Sequence, residues 1–194
     1  MRTRDITEQR AYWVDQYSDE VPVLDMPLDY PRPQKQSFKG KTENTNIDQS
    51  LREEIKDLAS RTGTTEYMVF LSSAMVLLSK YSRQDDIVIG SPISGRTHKD
   101  TEGMLGMFVN TLAMRGKPEG NKRYIDFLME IKETCLKSYE NQEYPFEELV
   151  EALDITRDIS RNPLFDVMLV LQNNEEAELK FAGTKIESID IESS

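Results

Sequence analysis

Two segments of the chain, MFVNTLAMR (107–115) and FDVMLVL (165–171), are apolar on both faces when read as strands. Side chains of a strand alternate between its two faces, so a strand apolar on both needs a layer above and a layer below. The rest of the sequence offers those layers as helices. YMVFLSSAMVLLSKY (67–81) is apolar nearly all round, the pattern of a helix packed on several sides. A third short buried strand is predicted at Asp86 to Gly90 (DIVIG). Buried strands separated by helices predict an α/β fold, a central sheet flanked by helices. Asn110 is out of place in this pattern, because an amide in mid-strand is costly to bury unless it is hydrogen-bonded.

Punctuation residues set the element ends. Thr7 to Tyr17 has helical spacing with Thr7 as a possible cap. A helix from Asp48 to Thr62 is capped by Asp48 or by a Ser50/Glu53 box, carries Leu51, Ile55, Leu58 and Ala59 on one face, and stops at Gly63. The next begins at Thr64 or Thr65 and runs to about Tyr81. Pro92 and Gly95 in SPISGR mark a loop, Tyr124 to about Glu140 an amphipathic helix, and Pro145 the start of a short helix over Glu147 to about Leu153. Ile155 to Pro163 reads as irregular, Thr42 to Ile47 as a polar edge strand, Gln172 to Glu178 as a solvated turn and Lys185 to Ile191 as a weak last strand. Residues 17–41 carry Pro22, Pro27, Pro31 and Pro33, which exclude a helix; Leu24, Met26, Leu28 and Tyr30 call for a surface to lie on, so this stretch reads as a crossover strapped over a neighbouring element.

The length suits one domain with a real core. A formal charge of −11 and a pI near 4.7 argue against a nucleic-acid groove or an anionic membrane surface. No apolar run approaches the roughly 18 residues of a membrane span, and no signal pattern opens the sequence; the initial MRTRD reads as an arbitrary start. One cysteine, Cys135, excludes an internal disulfide and falls in step with Phe127, Leu128, Ile131 and Tyr139 as a core residue. These features fit a reducing cytosol.

Candidate chemistry is sparse. His98, the only histidine, has the loop-like neighbours Arg96, Thr97, Lys99 and Asp100 and no recognisable Ser or Cys partner, which disfavours direct chemistry. GSPISGR has neither spacing of a phosphate cradle. One His and one Cys make no metal-ligand cluster. Glu147, Glu148 and Glu151 read as a solvated helix face.

Three stretches set polar residues directly beside apolar ones: GMFVNTLAMR (106–115), NQEYPFEELV (141–150) and RDISRNPLFDVMLVLQN (157–173). In this order and spacing they resemble the last three core motifs of condensation domains of nonribosomal peptide synthetases. AYWVDQYSDEVPVLDMPLDYPRP and DDIVIGSPISGR are also similar to that family, so the resemblance covers essentially the whole chain. It implies a chloramphenicol-acetyltransferase-like, two-lobed fold with a channel between the lobes. Two 4'-phosphopantetheine arms enter that channel from donor and acceptor peptidyl carrier proteins, and the acceptor amine attacks the donor thioester to form an amide. The family's catalytic signature is HHxxxDG; this chain has no HH pair, so the resemblance implies a C-terminal lobe, 1–194, without its N-terminal partner, inactive alone and with no catalytic residue of its own. Residues 172–194 would begin the floor and latch excursion of that lobe.

The resemblance makes Asn110 the channel-lining candidate, with a buried structural asparagine bonded to backbone as the equal alternative. It gives structural motif roles to Phe108, Val109, Thr111 and Arg115 around it, and to Asn141, Gln142, Tyr144, Pro145, Phe146 and Glu147 in the second motif. In the third motif, Arg157, Asp158, Ser160, Arg161, Asn162 and Pro163 fix the loop that enters the following strand. No cofactor is implied on the chain itself. The implied partners are the N-terminal lobe, the carrier proteins and a neighbouring adenylation domain. Self-association is expected through surface left open by the missing lobe, at Leu24, Met26, Leu28 and the last strand. The competing function is a non-catalytic module that binds carrier proteins or an adenylation domain; an independent acyltransferase is disfavoured by the want of an activated base.

Overall fold

The structure is a computed structural model that describes residues 6–37, 39–96, 99–101, 104–155 and 158–172. Its elements are α1 (Thr7–Gln16), α2 (Gln49–Thr62), α3 (Glu66–Ser82), β1 (Ile87–Ile93), β2 (Asn110–Gly116), α4 (Tyr124–Glu140) and α5 (Phe146–Ala152), with one 3-10 turn at Lys99–Thr101. The caps follow local chemistry. The Asp48 carboxylate accepts from the Leu51 N–H at 2.8 Å, Thr65 accepts from the Met68 N–H at 3.2 Å, and Gly63 closes α2 in the left-handed region at φ 60°. The Ser50/Glu53 box does not form, since Glu53 instead accepts from the Gln49 side chain four residues back. Thr7 is the first helical residue rather than the cap, a position held by Ile6.

β1 and β2 pair antiparallel, Ile87 opposite Gly116 and Ile93 opposite Asn110. Ile87, Ile89, Leu112 and Met114 are fully buried. Gly116 lies on that same face, where an added Cβ would stand 2.6 Å from the Met75 sulfur of α3 and 2.7 Å from Ile131 of α4, so glycine sets the helix-to-sheet distance. On the opposite face Gly90 is covered by the Phe165 ring, 2.5 Å from where a Cβ would be. Tyr17, at the end of α1, donates its hydroxyl to Ala113 O at 2.9 Å. A layer thus lies on each face, as the two-sided apolar strands required.

The sheet is two-stranded and antiparallel, with one isolated parallel bridge beside it, and so is smaller than the central mixed sheet expected. FDVMLVL joins β1 through a single parallel bridge, Gly90 with Met168, made by Gly90 N–H to Val167 O and Leu169 N–H to Gly90 O, both 2.9 Å. The next rung would need an N–H from residue 92, which is proline, so the ladder stops there. The same geometry explains why β1 runs through Ser91 and Pro92, where a loop was expected: Pro92 directs its missing N–H away from β2. The turn comes later, at Gly95, φ 58°, where a Cβ would stand 1.8 Å from Phe108 O.

Three further expectations are corrected. The strand predicted over 107–115 begins only at Asn110, because β1 ends opposite it; Met107 and Val109 are 91% and 60% exposed. Thr42 to Ile47 has no strand neighbour and is exposed. In the crossover, Leu24 is buried and Met26 packs on this chain's own core, so of the three side chains assigned to open surface only Leu28 is exposed, as is Tyr30. The last strand and the 173–194 region lie outside the described residues.

Candidate functional site

Asn110 opens β2 with its amide engaged at both ends. Nδ2 donates to Gln142 O at 2.8 Å and to Tyr144 O at 2.9 Å, while Oδ1 accepts from the Phe146 N–H at 3.2 Å and from the Thr111 N–H at 2.8 Å. An asparagine amide has two donor and two acceptor sites, so its capacity is filled by backbone, and these partners fix its orientation. The turn it holds joins α4 to α5. Asn141 Nδ2 closes α4 on Lys137 O, Gln142 Nε2 bonds Tyr139 O, and Pro145 stands at the N-cap of α5. From the other side α1 grips the same turn, through Trp13 Nε1 to Asn141 O at 2.8 Å and Gln9 Oε1 accepting the Glu143 N–H at 3.0 Å. Tyr144 is buried and Glu147 exposed.

Arg115, near the other end of β2, is 8% exposed. Its guanidinium forks onto Asp86, with Nε at 2.9 Å from Oδ1 and Nη2 at 2.6 Å from Oδ2. Nη1 donates to Asp19 at 2.6 Å and to Gln16 O at 2.8 Å, and Nη2 also donates to Glu20 O at 3.1 Å. The hydrogen bond from Arg115 holds the Asp19 carboxyl below the usual carboxylate range, and donation to the Asp86 carboxylate raises the guanidinium further.

The third motif forms a turn on itself. Ser160 N–H donates to Asp158 Oδ1 at 2.8 Å and Leu164 N–H to Asn162 Oδ1 at 3.3 Å, an Asx pattern on either side of Arg161. Arg161 lies 3.6 Å from Asp166, and Pro163 leads into buried Leu164 and Phe165. Arg157 and His98 lie outside the described residues. Phe108 receives the Arg96 guanidinium over its ring at 4.3 Å, while Arg96 also reaches Gly106 O and Thr101 O.

The three motifs therefore converge. Asn110 ties the first to the second, and the Phe146 and Phe165 rings, 5.5 Å apart, join the second to the third. Sequence reading missed the long-range partners Gln9, Trp13, Asp19 and Asp86. Only Asp86, an acid immediately before a buried strand, left any local signal.

Among the described residues there is no His, Cys, Asp and Glu grouping able to hold a metal, and no helix long and apolar enough to cross a membrane. A cleft of about 880 Å³ between α2, α3 and α4 is walled by Tyr139, Leu171 and Gln172 among others, and Asn110, Arg115 and Arg161 do not line it. Cys135 is fully buried, and burial pushes its thiol up to about 12. It is accordingly expected to resist alkylation by iodoacetamide at pH 8 until the chain is unfolded in denaturant; rapid labelling of the native protein would contradict this burial.

Comparison with known proteins gives consistent matches. The family profile described as Condensation domain matches residues 2–194. Gramicidin S synthase 2 of Brevibacillus brevis is 51% identical over 184 residues, 95% of this chain but 4% of that protein. Bacitracin synthase 3 of Bacillus licheniformis is 48% identical over 186 residues, 96% of this chain and 3% of that protein. The chain thus spans a few per cent of the length of these curated relatives. Among solved structures, a four-domain nonribosomal peptide synthetase, holo-AB3403 bound to AMP and glycine, superposes with a TM-score of 0.85 at 29% identity, covering 91% of this chain and 13% of that one. The X-domain from teicoplanin biosynthesis shares the fold at a TM-score of 0.79 and 21% identity, covering 86% of this chain and 38% of that one.

Proposed function

We propose, from the premise that this chain belongs to the condensation-domain family, that it is the C-terminal lobe of such a domain and supplies one wall of a channel in which amide bonds form. The observation that carries this reading is the convergence of the three motifs through Asn110, Phe146 and Phe165. In the complete domain, donor and acceptor thioesters arrive on 4'-phosphopantetheine arms of carrier proteins in a reducing cytosol, next to an adenylation domain. The N-terminal lobe contributes the HHxxxDG histidine that handles the acceptor amine. The role of this lobe is positional. Asn110 borders the channel and holds the 142–146 turn at a fixed distance from β2, so the wall keeps its shape while substrates pass.

The test is amide formation between a loaded donor carrier protein and a loaded acceptor carrier protein, read by mass spectrometry of the products. This chain alone is expected to give none, and the chain mixed with an HHxxxDG-bearing N-terminal lobe is expected to give the amide. Product from the chain alone would overturn the assignment of chemistry to the other lobe. Failure of the mixture, with both lobes shown folded and associated, would overturn the enzymatic reading itself.

A further inference from the structure

The crossover is fastened at two places, and the second is the weaker. At the near end, Gln84 reads the strap backbone as a neighbouring strand would: Oε1 accepts the Asp25 N–H at 2.8 Å and Nε2 donates to Val23 O at 2.9 Å, with Leu24 buried between. From Pro27 to Pro31 the chain is exposed. At the far end, Arg32 donates to Ser160 O at 3.3 Å and lies 3.5 Å from Asp166, and Gln36 N–H bonds Ile159 O at 3.2 Å. These far contacts are long and polar, and the Arg32 side chain is one-third exposed, so each is weak. Pro27, Pro31 and Pro33 stiffen the intervening chain.

The far end holds a sensitive point. Asp166 sits between Arg32 and Arg161 and directly precedes Val167, whose carbonyl makes one of the two backbone hydrogen bonds that attach the extended segment 165–171, hereafter the third strand, to Gly90; Leu169 N–H makes the other. We propose that residues 21–36 are a hinged strap, and that the Arg32 clasp on Asp166 and Ser160 governs whether the third strand stays paired with β1. The strap opens at its far end while the β1–β2 ladder and the Gln84 fastening remain closed. The inference concerns this chain by itself and does not rest on the proposed reaction.

Amide hydrogen exchange on the 194-residue chain tests it, alongside trypsin cleavage after Lys35; the Arg32–Pro33 bond resists trypsin, so the probe stays the same in both forms. Arg32→Gln is expected to speed exchange at the Leu169 amide about fivefold and to raise cleavage after Lys35, with the β1–β2 amides unchanged. Raising NaCl from about 0.05 to about 0.5 M should do the same to the unaltered chain and nothing more to the variant. Gln84→Ala is expected to speed exchange at Asp25 alone. Leu169 exchange unchanged in Arg32→Gln, or a rise of equal size across the β1–β2 ladder, would overturn the clasp.

Discussion

Asn110→Asp is expected to unfold more easily than Asn110→Ala at pH 7, although it is the closer match in shape. In the native protein Nδ2 faces two carbonyl oxygens, of Gln142 and Tyr144, at 2.8 and 2.9 Å. Alanine removes the donor and the acceptor and leaves those carbonyls and the Phe146 N–H to partial hydration at a half-buried site, a loss of about 2 kcal/mol. A carboxylate keeps the bonds to the Thr111 and Phe146 amides but turns an anionic oxygen toward the two carbonyls, raising the loss to about 3 kcal/mol. Protonation would give that oxygen a hydrogen to donate. The aspartate's pKa is therefore raised by folding, and the variant should regain stability as pH falls through that raised value and lose it as pH rises. Urea denaturation at pH 7 and pH 4.5 reads both effects. If both variants stayed within about 0.5 kcal/mol of the parent, the amide would not be holding the turn.

Much of this arrangement is legible in the sequence because it is local. Asp48, Gly63 and Thr65 mark their helix ends through bonds to residues three or four away, and the Tyr124–Glu140 helix shows its face by spacing alone. The Asx turns of Asp158 and Asn162 are likewise written within two residues. What failed was the inference from apolar to buried. Met107, Val109, Met168 and Val170 are 49% or more exposed, although they lie in segments that look like core. An apolar side chain shows that a surface must be covered, not that this chain covers it.

Asn110 stands out as an amide in mid-strand and the other site residues by resemblance, and the physics behind all of them is nonlocal. Nothing near Asn110 in sequence announces that its four partners are one residue and 32 to 36 residues away. Arg115 is further removed, with partners 29 and 95 to 99 positions earlier. Pairings of that kind depend on the register of β1 with β2 and on where the crossover leaves α1. The end of β1 shows the same limit in the opposite sense: Pro92 reads as a stop, yet it sits in the strand because its missing N–H points toward the third strand and cuts short that ladder instead.

Arg115→Met should cost more than any single surface change in the chain, about 3 kcal/mol. Its guanidinium joins the end of α1, the start of the crossover and the residue before β1, through Gln16 O, Asp19, Glu20 O and Asp86, and it also lies 5.5 Å from the Tyr17 ring. Methionine approximates the aliphatic stem, so the loss isolates the charge and its hydrogen bonds. Lysine should not rescue it, because one ammonium offers three donors where the fork onto Asp86 and the three other acceptors require a planar guanidinium. The pairing with Asp86, whose carboxylate is 27% exposed, accounts for most of the loss; Asp19, at 60%, rehydrates freely. Replacing both members, Arg115→Met with Asp86→Leu, is therefore expected to recover part of the stability, since the half-buried Asp86 carboxylate, which keeps Lys117 at 3.8 Å but loses the guanidinium fork, is then gone. The acid limb supplies an independent check. Folding lowers the Asp19 pKa through its bond to Arg115, so that contribution is present above the ordinary carboxylate range and is lost as pH falls through the depressed folded value. Arg115→Met should flatten this part of the profile. Arg115→Met as stable as the parent in urea, with an unchanged acid slope, would show that the arginine acts through its stem and not through its charge.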